Sequence, residues 1–237
     1  MKAVLMAAGK GSRLQPLTND RPKSLLEIDG KPLLIHQIEM LKENGVRDFI
    51  IVTGYRADQV EKAVAHFSGI QLVHNPFYEH CNVLGSFYLT LPYLNDGFVY
   101  AHADTLFEME ILKRVLEGNG EIRLAVDDHP CGEEEMKVLI EGAKITHLSK
   151  LLPAERVQGE FIGMGFVAPS MLPSLKKSVQ KLIHAGKKDQ YFEAALQDLI
   201  DNGSTVAPVD VTGLVWNEID FIEDYERLKS RWNSRRS

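Results

Sequence analysis

The segment Ala7-Ala8-Gly9-Lys10-Gly11-Ser12-Arg13-Leu14 combines two glycines with two cations, and Arg21-Pro22-Lys23-Ser24-Leu25 follows shortly after. These residue types suit a polyphosphate. Gly9 and Gly11 lack a Cβ, so backbone N–H groups can come close to phosphate oxygens. Arg13 offers a planar donor fork and Lys23 a point charge. Their spacing lets both cations converge on one anion from opposite ends of a loop. A glycine-rich turn with surface cations is the bland alternative. The apolar run at residues 2–6, which reads as a strand leading straight into the loop, favours phosphate. The chain has no G-x-x-x-x-G-K-[ST] and no G-x-G-x-x-G, so it carries neither a P-loop nor a dinucleotide fingerprint.

Two acidic positions could complete such a site. Asp104 follows the apolar run Phe98-Val99-Tyr100-Ala101, where open α/β sheets place their ligands. Trp216-Asn217-Glu218-Ile219-Asp220 is the second acidic cluster. Asp220 could equally cap the following helix together with Glu223.

The elements that must position these residues alternate. Apolar runs at 2–6, 49–52, 70–73 and 98–101 read as strands, and helical periodicity covers 32–44, 57–67 and 108–116. Such alternation implies a largely parallel sheet with right-handed crossovers. The style then changes. Residues 136–140, 144–148, 161–167, 206–211 and 214–218 read as strands, with helices at 170–184, 190–201 and 221–231. The expected fold is α/β: a mostly parallel, Rossmann-like central sheet flanked by helices, with a smaller β-rich part. We read residues 1–237 as one domain, with a change of layer near residue 130.

Composition narrows the classes. The hydrophobic share of 44% and charged share of 25% are ordinary for a soluble globular protein. A formal net charge of −6 argues against a general nucleic-acid or membrane-surface binder. The basic tail (Arg227, Lys229, Arg231, Arg235, Arg236) reads as a solvated helix end. Cys81 and Cys131 make no metal spacing and no disulfide framework, which points to a reducing cytoplasm. The N-terminal apolar run is too short for a signal peptide, and no run reaches a membrane span.

L-M-A-A-G-K-G-S-R-L-Q-P-L-T followed by R-P-K-S-L resembles the signature of the nucleotidyltransferases that activate sugar phosphates and small phospho-alcohols. The resemblance implies a fold of the nucleotide-diphospho-sugar transferase type. It assigns the triphosphate to Gly9, Gly11, Ser12 and Arg13, and the reacting centre to Lys23. It places the base along the backbone of Leu5, Ala7 and Ala8, and implies that residues 1–130 bind nucleotide while 131–237 supply the acceptor pocket and a second metal ligand. It also implies Mg²⁺, held by Asp104 and Asp220, with Glu218 a weaker match. The run from Asn82 to Ser86, N-x-x-G-S, resembles the branch containing phosphocholine and aminoethylphosphonate cytidylyltransferases. Asn82 and Ser86 would then sit near a pyrimidine, with loop capping as the alternative. By the same resemblance Lys150 and Glu160 would face the acceptor. Tyr191, in Tyr191-Phe192-Glu193, and Trp216 would pack around a quaternary ammonium, unless they are simply core aromatics. His102 receives no role.

The expected reaction is in-line attack by an acceptor phosphate or phosphonate oxygen on the α-phosphorus of CTP, releasing pyrophosphate. A phosphate monoester is already mostly dianionic at neutral pH, so no general base is needed. Two rival readings share these residues. One is a sugar-1-phosphate nucleotidyltransferase using UTP, dTTP or GTP. The other is a non-catalytic regulatory domain of the same fold. The partners expected are therefore a nucleotide and a small phosphorylated acceptor, with a homodimer left open.

Overall fold

The computed structural model describes residues 1–233, so Arg235 and Arg236 of the basic tail lie outside the described residues. The first strand, β1 (Lys2–Ala7), is covered on both faces, with Ala3, Val4 and Leu5 sealed from solvent. That is why its sequence is continuously apolar instead of alternating. A short ribbon of β2 (Glu27–Ile28) and β3 (Lys31–Pro32) leads into α1 (Leu33–Glu43). The end of α1 follows from its sequence. Gly45 takes φ 84°. This lets Gly45 N–H donate to Lys42 C=O at 3.1 Å and Val46 N–H to Leu41 C=O at 3.0 Å. Those two bonds satisfy carbonyls the helix itself leaves open.

Next come β4 (Asp48–Thr53), α2 (Ala57–Val64), β5 (Ile70–His74) and α3 (Val83–Tyr88). They are followed by β6 (Phe98–His102), β7 (Thr105–Phe107), α4 (Met109–Glu117) and β8 (Ile122–Asp127). The second half holds β9 (Lys137–Glu141), β10 (Lys144–Ser149), β11 (Glu160–Val167), α5 (Leu172–His184) and α6 (Glu193–Asp201). It closes with β12 (Val206–Asp210), β13 (Trp216–Glu218) and α7 (Ile222–Asn233).

A nine-stranded sheet runs in the order β5-β4-β1-β6-β11-β8-β12-β10-β9. The stretch β5-β4-β1-β6 is parallel throughout. β11 then enters antiparallel between β6 and β8, and β8 pairs parallel with β12. β10 and β9 finish the far side antiparallel. The expected α/β architecture is present, as a mixed sheet with its parallel part at the N-terminal end. A separate ribbon pairs β13 with β7, setting Glu218 opposite Thr105.

Five elements, β2, β3, β7, β8 and α3, had no counterpart in the sequence reading. β8 carries Arg123 inside an otherwise apolar strand. The side chain is buried, stacked with its guanidinium 4.1 Å from the Phe166 ring centroid. A long cation can lay its stem and flat face along apolar surface, which hides the strand pattern. α3 contains Gly85, a poor helix former, but a Cβ there would meet the Cys81 side chain at 2.7 Å.

The core lies on both faces of the sheet. On one, Phe192 sits 4.3 Å from the Tyr100 ring and 4.4 Å from Phe87. Burying each such side chain contributes about 1.5–3 kcal/mol. On the other, Leu5, Ile38 and Ile111 pack beneath α1 and α4. Among the described residues no helix is long and apolar enough to cross a membrane.

Candidate active site

A cavity of about 350 Å³ opens at the C-terminal ends of β1 and β6. Met6, Ala8 and Gly9 form one wall, and His102 and Asp104 another. The alternation of β1 decides which side chains reach it. Met6 and Ala8 line the cavity, whereas Leu5 and Ala7 turn into the opposite core. Of the sequence-derived positions, Arg13, Asn82, Ser86, Lys150, Glu160, Tyr191 and Asp220 also line it. Gly11 and Ser12 are not wall residues. Ser12 opens a single 3₁₀ turn (Ser12–Leu14) and is exposed.

Gly11 shapes the loop instead. Its φ of 66° is left-handed, and a Cβ would meet Lys23 Cβ at 3.1 Å. The lysine stem therefore lies against the bare glycine, and Thr18 Oγ1 donates to Gly11 C=O at 2.7 Å to close the turn. Lys23, only 7% exposed, then reaches across the chain. Its Nζ lies 2.7 Å from Asp104 Oδ2 and 2.5 Å from Asp220 Oδ1. Burial works against its charge, but Asp104, Glu218 and Asp220 outweigh that and hold the ammonium above the ordinary lysine value. Burial likewise opposes ionisation of Asp220, and Lys23 more than offsets it, so this carboxyl titrates below its ordinary value.

The Asp104 turn is held from three sides. Ala103 N–H donates to Met6 C=O at 3.1 Å, and Ile219 N–H to Asp104 C=O at 3.1 Å. Gln37, fully buried in α1, donates its amide to His102 C=O at 2.7 Å and to Thr105 C=O. The capping role open to Asp220 belongs to its neighbour. Asp224 Oδ2 accepts from Asp220 N–H at 3.1 Å and Phe221 N–H at 2.8 Å. The Asp220 carboxylate is thereby left to Lys23.

Donor atoms of His102, Asp104 and Glu218 lie within 4.8 Å of one another. Asp104 thus belongs both to this group and to the Lys23 pair. His102 Nδ1 is 3.4 Å from Glu218 Oε1, and His102 Nε2 is 2.9 Å from Tyr100 Oη. Burial disfavours the imidazolium, yet the Glu218 contact and charge raise His102 to about 9.

The far wall is acidic with cations at its rim. Glu134 Oε2 lies 3.4 Å from Arg13 Nη1 and 3.7 Å from Lys150 Nζ, bridging the mouth. Lys150 also sits 4.9 Å over the Tyr191 ring. Glu193 is 2% exposed, its Oε2 has no hydrogen-bond partner, and burial raises its titration. Burial pushes Glu160 up to about 7, against a lowering contact from His129 Nε2 at 3.0 Å. Trp216 stands apart from the cavity. Its Nε1 donates to Asp127 Oδ2 at 2.7 Å, and it lines an adjoining groove with His129, Glu160 and Arg227. Asn82 does cap α3, its Oδ1 accepting from Val83 N–H at 2.8 Å, and it also lines the cavity.

Sequence reasoning left out Gln37, Asn75 and Glu134, and gave Glu193 no role of its own. Gln37 occupies an apolar helix face, and Glu134 sits in the acidic run Glu133-Glu134-Glu135. The mismatch between a polar residue and an apolar face was the available signal for Gln37.

Comparison with known proteins identifies the fold and the family. The MobA-like NTP transferase domain matches residues 3–160. The choline-phosphate cytidylyltransferase of Streptococcus pneumoniae is 29% identical over 230 residues, spanning 97% of both chains. The UTP–glucose-1-phosphate uridylyltransferase AglF of Haloferax volcanii is 24% identical over 242 residues, spanning 98% of this chain and 96% of the relative. The solved CTP:phosphocholine cytidylyltransferase from Streptococcus pneumoniae superposes with a TM-score of 0.81 at 26% identity, covering 98% of each chain. This chain has the nucleotide-diphospho-sugar transferase fold and belongs to the nucleotidyltransferases of the MobA-like NTP transferase family.

Proposed function

We propose that this enzyme transfers CMP from CTP to a small phosphate or phosphonate acceptor, of the phosphocholine or aminoethylphosphonate kind, and releases pyrophosphate. The observation that carries this reading is the Lys23 ammonium between Asp104 and Asp220, at the edge of a cavity rimmed by Arg13 and the glycine loop. Similarity to a cytidylyltransferase along nearly the whole chain supports the choice of nucleotide.

The reaction brings two polyanions together. In this reading Arg13 and Lys23 offset their repulsion and stabilise charge on the leaving pyrophosphate. Backbone N–H groups at Gly9 and Gly11 hold the triphosphate in line. The backbone of Leu5, Ala7 and Ala8 runs along the base and Ser12 belongs to the triphosphate loop, with Asn82 and Ser86 on the pyrimidine. Lys150 receives the acceptor phosphate, and Glu160 and Tyr191 face its other end.

Carboxylate oxygens suit a hard divalent cation, and Asp104 both shares the Lys23 ammonium with Asp220 and lies within the His102–Glu218 group. Asp104 and Asp220 would hold Mg²⁺, which needs only one or two protein carboxylates beside phosphate oxygens. Bound there, it would neutralise charge on the triphosphate. The acceptor oxygen is already ionised at neutral pH, so no side chain need remove a proton.

Phosphorus NMR of the reaction mixture tests this reading. With CTP and phosphocholine or aminoethylphosphonate, a new diphosphate-type linkage and free pyrophosphate are expected. Release of orthophosphate, or no reaction with any phosphate or phosphonate acceptor, would refute it.

A further inference from the structure

Asn75, one residue beyond β5, is 1% exposed, and both ends of its amide are engaged. Its Oδ1 accepts from Phe77 N–H at 2.9 Å. That bond fixes which way the amide faces, because a flipped amide would set two donors against each other. Nδ2 therefore points at α3, donating to Ser86 Oγ at 2.9 Å and to Cys81 Sγ at 3.2 Å. Ser86 is 6% exposed and lines the cavity beside Asn82 and Ala8.

A hydroxyl has one proton and two lone pairs. Asn75 occupies one lone pair of Ser86. Among the described residues nothing accepts the Ser86 proton. Ser86 thus faces the cavity as a directed donor, although it could in principle act either way.

We propose that Asn75 is a specificity-determining positioning residue, which turns the Ser86 hydroxyl so that it donates to N3 of cytosine. This rests on the CMP-transfer reading above. N3 is an acceptor in cytosine and carries a proton in uracil. Uracil could reach the second lone pair of Ser86, but the hydroxyl proton, on a side chain only 6% exposed, would then have no protein partner. An unpaired polar group in such a site is what separates good substrates from poor ones. Asn75 is not among the residues lining the cavity, so it acts through Ser86.

The test is the ratio of kcat/KM for CTP to that for UTP, in wild type, Asn75→Ala, Asn75→Asp, Ser86→Ala and the double variant Asn75→Asp/Ser86→Ala. The ionised carboxylate introduced by Asn75→Asp has only acceptors, so it draws the Ser86 proton to itself and leaves a lone pair toward the base. That variant is read at about pH 8.5, above the carboxylate range. Asn75→Asp is expected to lower the CTP:UTP ratio about 10-fold or more, and Asn75→Ala to lower it by a smaller factor. On the Ser86→Ala background the Asp substitution should move the ratio by less than about twofold, since the coupling runs through Ser86. If Asn75→Asp fails to fold by circular dichroism, Asn75→Ala decides alone. A folded Asn75 variant with the wild-type ratio overturns the inference. So does an equal shift with Ser86 absent. Wild type that itself prefers UTP would instead remove the CMP-transfer reading, which separates the two failures.

Discussion

The Lys23 ammonium lies 2.7 Å from the Asp104 carboxylate, joining the glycine-loop segment to the turn after β6. Asp220 closes the same contact from the other side at 2.5 Å. One cation therefore holds together the two carboxylates that the proposed reaction assigns to Mg²⁺. On the proposed reading, lysine and metal would compete for these oxygens until a nucleotide offered the lysine a phosphate.

Lys23→Met should lower kcat/KM by about 100-fold or more, the scale for removing one charge-stabilising donor. It should also lower the melting temperature, because Asp104 and Asp220 then face each other uncompensated. Mg²⁺ without nucleotide should raise the melting temperature of the variant more than that of wild type. Calorimetry with and without Mg²⁺ checks this. Equal Mg²⁺ shifts in both proteins would show that lysine and metal do not share these oxygens.

Asp104→Asn should abolish turnover at every Mg²⁺ concentration. The amide keeps the shape but loses the charge that holds a hard cation. Pyrophosphate release measured across a Mg²⁺ titration is the readout. Recovery of the wild-type rate at saturating Mg²⁺ would remove Asp104 from the metal site.

Glu134→Gln should lower KM for nucleotide or acceptor by about two- to fivefold, consistent with exposed pairs worth ~0–1 kcal/mol. Glu134 bridges Arg13 and Lys150 at the cavity mouth and occupies the place of an anion. Steady-state kinetics against both substrates would detect the change. A raised KM would instead make Glu134 a binding residue.

Glu160 gives a pH dependence with a definite sign. Burial raises its titration from 4.5 to about 7, so the folded protein holds a proton that the unfolded chain has already released in that window. His129 is also raised, although burial opposes it, through its contacts with Pro130 and Glu160. Both groups make the native state bind more protons than the unfolded state, so stability should fall as pH rises. The part due to Glu160 should appear between pH 4.5 and about 7. Glu160→Gln should flatten that fall. His129→Ala should extend it upward, because the His129 contact lowers Glu160. Melting curves across this range provide the measurement. A wild-type melting temperature that rises through the window would contradict the assignment.

β1, β4 and β6 were legible because each is largely buried on both faces and hence nearly continuously apolar. The glycine loop was legible because Gly11 serves two demands at once, a left-handed turn and contact with Lys23. β8 was not, since Arg123 behaves as an apolar slab against Phe166. The roles of Gln37 and Asn75 were hidden for another reason. Their partners, His102 C=O and Ser86 Oγ, are defined only once the chain has folded. Trp216 was read as an acceptor aromatic, but the pairing of β13 with β7 sets it in the neighbouring groove, where Asp127 takes its N–H. Charge and glycine patterns announce chemistry in the chain, whereas a second layer of hydrogen bonds depends on strand order.

Competition among nucleotides tests CMP transfer most directly. Equimolar CTP, UTP, dTTP, GTP and ATP are mixed with Mg²⁺, enzyme and either phosphocholine or aminoethylphosphonate, and the products are read by mass spectrometry. The CMP adduct should dominate, and Lys23→Met should remove it. A dominant UMP or dTMP adduct, or adducts formed only when a sugar 1-phosphate replaces these acceptors, would contradict CMP transfer while leaving the fold and family as described.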